Sequence, residues 1–96
     1  MITVAYKVGQ APSVLVLDGS LESLQGAVGG YIEAVSLNDN LVLICNEEGK
    51  LRGLPPNKPL GRDVICGDFL IVASDDEGDF VSLDENGVQF ALEFFD

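Results

Sequence analysis

Residues Leu41–Cys45 read LVLIC, five apolar side chains in a row. A strand with one wet face alternates between apolar and polar residues. An unbroken run therefore predicts a central strand buried on both faces. Asp68–Ser74 (DFLIVAS) carries the next such run. Outward from these two, Ile2–Val8 alternates loosely. Gln10-Ala11-Pro12 breaks the pattern, and Ser13–Leu17 resumes it as the second arm of a hairpin or as a consecutive edge strand. Tyr31–Leu37 alternates, Asn38-Asp39-Asn40 is a hairpin-type connector, and Asp79–Leu83 returns from the acidic turn Asp75–Gly78.

Two helices complete the pattern. Ser20 fits an N-cap, Glu22 sits in the first turn, and Leu21, Leu24, Ala27 and Val28 recur at helical spacing before Gly29-Gly30. Asp84 fits a second N-cap, ahead of an apolar stripe of Val88, Ala91, Leu92 and Phe95, widened by Phe90 and Phe94. Lys50-Leu51-Arg52 is expected to pair briefly on the way back from Leu41–Cys45. Gly53–Arg62 holds three prolines and two glycines and is expected to be an ordered loop without regular structure. The order predicts a single α+β domain over residues 1–96. It would hold a small mixed, mainly antiparallel sheet of about five to six strands with two short helices.

Sixteen acids, five bases and no histidine give a formal charge of −11. That balance argues against direct nucleic-acid binding, which needs clustered Lys and Arg. The missing histidine removes the commonest general base and metal ligand. Cys45 and Cys66 cannot make a four-cysteine zinc site, and both read as free thiols of a reducing cytoplasm. No apolar run approaches a membrane span, and MITVAYKVGQ lacks a secretory pattern. Cytoplasmic localisation without membrane contact is the expectation.

No motif carries catalysis. Asp75–Asp79 is no calcium loop, because Gly78 at the sixth place puts Ala73 where the first carboxylate belongs. Gly26–Gly30 follows a helix instead of opening one, so it is no phosphate cradle. Adjacent Glu47 and Glu48 belong to a solvated turn. The expectation is a protein that is not an enzyme and holds no cofactor and no metal.

The charge is unevenly spread. Lys50, Arg52, Lys58 and Arg62 fall in one stretch, whereas Asp63–Asp96 has ten acids and no base. The most distinctive segment is Asn46–Asn57 (NEEGKLRGLPPN), and it is open to two accounts. In one, Asn46, Glu47, Lys50, Arg52 and Asn57 form a recognition surface. In the other, Asn46 and Gly49 shape turns and Asn57 bonds loop backbone.

Val28–Val35 (VGGYIEAV), Cys45–Asn57 (CNEEGKLRGLPPN) and Cys66–Glu85 together resemble the "domain of unknown function 3846" family, over Leu24 to Glu85. The resemblance implies a shared fold and a small cytoplasmic protein of a bacterium, phage or plasmid. It carries no catalytic residues. The leading expectation is a phage or mobile-element accessory protein that binds a protein partner through the Asn46–Asn57 segment. A first alternative is a DNA mimic, in which Asp68, Asp75, Asp76, Glu77, Asp79, Asp84 and Glu85 stand in for phosphates and block a DNA-binding protein. A second is capture of a small ligand such as a nucleotide in a pocket beside Lys50, Arg52 and Asn57. Phe90, Phe94 and Phe95 prompt the further expectation of a homodimer through the carboxy-terminal helix.

Overall fold

The computed structural model describes residues 1–96. Its elements run β1 (Ile2–Tyr6), β2 (Ser13–Val16), α1 (Leu21–Val28), β3 (Ile32–Ser36), β4 (Leu41–Asn46), β5 (Pro56–Leu60), β6 (Asp63–Cys66), β7 (Phe69–Ser74), β8 (Phe80–Val81) and α2 (Glu85–Glu93). The main sheet has the order β2-β1-β7-β4-β3, with β8 continuing the line of β1 alongside β7. All pairings are antiparallel. The α+β architecture, with its two short helices, is the one the pattern predicts.

The apolar run of β4 finds both faces covered. Leu41, Leu43 and Cys45 join Val4, Tyr6, Phe69 and Ile71 beneath α2 and Ile65 of β6. Val42 and Ile44 join Ala5, Leu70 and Val72 beneath Leu24 and Val28 of α1. Adjacent strands keep their side chains in phase, as the register Val4↔Ile71↔Leu43 shows. One strand thus feeds two cores, and every residue of β4 is buried.

Helix α1 is capped at one end by Ser20, whose side chain accepts from Ser23 N, and at the other by Gly29 at φ 79°. Helix α2 is capped by Asp84, whose carboxylate accepts from Gly87 N at 2.7 Å. The helix is pinned by Tyr6, whose hydroxyl donates to the Ala91 carbonyl at 2.5 Å. Tyr6 stacks on Phe69 at 4.9 Å, and Phe95 meets both rings edge-on at 5.2 and 5.5 Å. The chain's own core therefore half-buries both Phe94 and Phe95, leaving Phe90 as the exposed one of the three phenylalanines.

Two local expectations are corrected. Lys50-Leu51-Arg52 lies in consecutive turns and pairs with no strand. Gly53–Arg62 is not wholly irregular, because Pro56–Leu60 pairs with Asp63–Cys66 as a separate two-stranded ribbon. Proline is barred from a strand bonded on both sides, but in a ribbon each strand has a free edge. Counting back from the closing pair Leu60↔Asp63, alternation turns the Pro59 nitrogen to that outer edge. The register shifts between Pro56 and Lys58, which releases Asn57 from the ladder. Gly61, at φ 60°, takes the left-handed place in the two-residue turn.

Candidate functional site

The up-and-down strand order sorts the charges by end. At one end lie the β3–β4 turn, the β7–β8 turn, the exit from β2 into α1 and the start of α2. The contacts that join them are Ser74 N to Asn40 O at 2.9 Å, Leu83 N to Ile2 O at 2.9 Å, and Met1 against Gly19. These segments carry Asp18, Glu22, Asp39, Asp75, Asp76, Glu77, Asp79, Asp84 and Glu85, nine carboxylates without a lysine or arginine. The opposite end and the ribbon rooted there hold the other seven acids and all five bases. Asp68 belongs to that second end. It opens β7 and accepts from Val8 N at 2.9 Å, so the structure separates it from the six other carboxylates of the proposed DNA mimic.

Within the acidic end, three carboxylates shape backbone. Asp75 accepts from Glu77 N and Asp79 N, Asp84 caps α2, and Asp18 accepts from Ser20 N at 2.8 Å. Hydrogen bonds from Ser20 hold the Asp18 carboxyl below its usual range. Glu22, Asp39, Asp76, Glu77, Asp79 and Glu85 are exposed, and none makes a side-chain hydrogen bond or ion pair. A cleft of about 450 Å³ between the two turns and α2 is lined by Asn38, Asn40, Ser74, Ser82 and Asp84.

The Asn46–Asn57 residues are placed differently. Asn46, only 5% exposed, donates through Nδ2 to the Val28 carbonyl and accepts at Oδ1 from Glu48 N. Asn57 donates to both Tyr6 O and Gly67 O at 2.9 Å, tying the ribbon to β1. Arg52 donates to Gly29 O at 2.9 Å and so serves the last turn of α1, where a cation suits the helix dipole. Gly30 lies so close that a Cβ there would meet Arg52 Nη1 and Asn46 Nδ2 at 2.9 Å. Lys50 pairs with Asp63 on the surface, and this bond raises the lysine and lowers the carboxyl. Glu47 is exposed, with its backbone N–H bound to Tyr31 O. Lys50 and Arg52 face separate depressions, and Asn57 lines neither. The three do not share a pocket.

A family model described as a domain of unknown function (DUF3846) matches residues 2–96. The chain belongs to that family. The match includes β1, β2 and α2, which flank the Leu24–Glu85 segment where the resemblance is legible by motif. No curated protein and no solved structure matches the DUF3846 chain. No helix in it is long and apolar enough to cross a membrane.

Both cysteines of the DUF3846 chain are free, Cys45 buried and Cys66 half-buried. They line a cleft of about 350 Å³ with Glu33, Lys50 and Asp63. Burial, and then the nearby Glu33 carboxylate, push the Cys45 thiol from 9.0 up to about 11. The folded state thus holds the proton that the unfolded chain gives up near pH 9. Stability from this group is complete below pH 9 and lost as pH rises toward 11. Alkylation of native protein at pH 8, followed by mass spectrometry, should modify Cys45 about a hundredfold more slowly than the unfolded chain.

Proposed function

We propose that this is a small accessory protein of phage or mobile-element type that acts by binding, its acidic end meeting a basic face of a protein partner. The carrying observation is the nine carboxylates gathered at one end without a lysine or arginine, six of them with no internal partner. Unpaired like charges repel and lower the stability of the fold that holds them. The same field steers a basic partner to this end and sets its orientation. The Asn46–Asn57 segment supports a different role in this reading. The side chains of Asn46, Arg52 and Asn57 already bind backbone carbonyls and would have to leave them to meet a partner.

The test is affinity capture from the natural host with two variants in parallel. One carries Asp39→Asn, Asp76→Asn, Glu77→Gln, Asp79→Asn and Glu85→Gln, which leaves the backbone-binding carboxylates Asp18, Asp75 and Asp84 in place. The other carries Lys50→Gln and Arg52→Gln. Loss of the partner from the first variant alone is the expected outcome. Loss from the second alone returns recognition to the loop. Displacement of the partner by duplex DNA identifies a DNA-binding protein and makes the acidic end a mimic of phosphates.

A further inference from the structure

We infer that two copies of this chain pair through β2 at the edge of the main sheet, antiparallel about a twofold axis near Leu15. Strand β2 has a neighbour on one side only. Met1 and Leu17 exchange backbone bonds in both directions, so Thr3↔Leu15 and Ala5↔Ser13 are the bonded pairs of the β1–β2 ladder. The N–H and C=O groups of Val14 and Val16 therefore point away from β1 and have no partner in the chain. Their side chains are 50% and 68% exposed and adjoin Ile2 at 38%. Natural edges are blunted by charge, bulge or cover. Ala11–Leu17 has no charged residue and its ladder has no bulge, whereas the other edge, β3, carries Glu33 as its second residue.

Charge selects the orientation in which a second copy meets the least repulsion. A protein of formal charge −11 associates with itself only where its acidic regions stay apart. Antiparallel pairing of β2 sends the two acidic ends to opposite ends of the joined sheet. Each then lies beside the base-bearing end of the other copy, with Asp18 directed toward the end that carries Lys7. Matching Val14 to Val16 of the second copy, and the reverse, uses all four free N–H groups. Pro12, which has none to give, then stands opposite Asp18, where the pairing ends. A pairing through Phe90 uses one exposed aromatic and no backbone edge.

Light scattering of the full chain at millimolar concentration should give about twice the 10.2 kDa chain mass. In the same samples, hydrogen exchange at Val14 and Val16 should slow by roughly tenfold or more as dimer forms. The double variant Val14→Lys/Val16→Lys should be monomeric with unchanged circular dichroism, although it carries less net charge, and Phe90→Ser should still dimerise. A monomeric wild type at that concentration overturns the inference. So does a dimer whose Val14 and Val16 amides exchange as fast as in the monomer, or one lost in Phe90→Ser and kept in the lysine variant. The exchange measurement needs no variant, so it decides between pairing through β2 and its absence even where the lysine protein misfolds.

Discussion

Leu43→Ala and Ile44→Ala are each expected to lower the unfolding free energy by about 2–5 kcal/mol, measured by urea denaturation. Neighbours on one strand point to opposite faces, and in a sheet with one wet face one of the two would be cheap. Here both side chains are fully buried, Leu43 under α2 and Ile44 under α1. Each truncation removes apolar burial and leaves a cavity in a core that has little else to fill it. A domain of this size has a total stability on the order of 5–14 kcal/mol, so either change consumes a large share. If one of the pair costs less than about 1 kcal/mol, its face of the sheet is open and the two-core architecture is wrong.

Asn46→Ala is expected to cost about 2–4 kcal/mol and to leave the acidic end intact. The substitution strips the buried Val28 carbonyl of its donor and Glu48 N of its acceptor at the junction of α1, β4 and the following turn. An unsatisfied buried carbonyl carries its full desolvation cost, which makes this loss larger than that of an ordinary hydrogen bond. Glu47→Ala, one residue on, removes an exposed carboxylate with no partner and should change stability by less than about 0.5 kcal/mol. Thermal unfolding of the two variants side by side separates the roles. Equal stability, with partner binding lost only in Asn46→Ala, would make Asn46 a recognition residue.

The central strand was legible because burial on two faces leaves a plain mark, five apolar residues without alternation. The ribbon of β5 and β6 was not, since the rule that bars proline from strands holds for inner strands. Pro59 sits on an outer edge that no local pattern reveals. Asn57 was visible as a polar residue in a restricted loop. Its acceptor on Tyr6, 51 residues away, was not. The acidic end was legible only in part. Along the chain the charge divides into a basic loop and an acidic final third, which places Asp68 with Asp75–Asp79. Strand β7 lies between them and, at about 3.4 Å per residue, carries them to opposite ends. The alternation of turns brings Asp18, Glu22 and Asp39 to Asp75–Asp79 in place of Asp68, from parts of the sequence with no acidic run.

Binding through the acidic end is tested most directly by the salt dependence of the affinity for the captured partner. Calorimetry on the wild type and on the five-substitution acidic-end variant measures it. Raising salt from about 0.1 to 1 M shortens the screening length from about 10 to 3 Å. The predicted result is a wild-type Kd that weakens by roughly tenfold or more over that range, a variant already weak at low salt, and little further change in the variant. A wild-type affinity indifferent to salt and to those five substitutions, but lost with Lys50→Gln/Arg52→Gln, would contradict it.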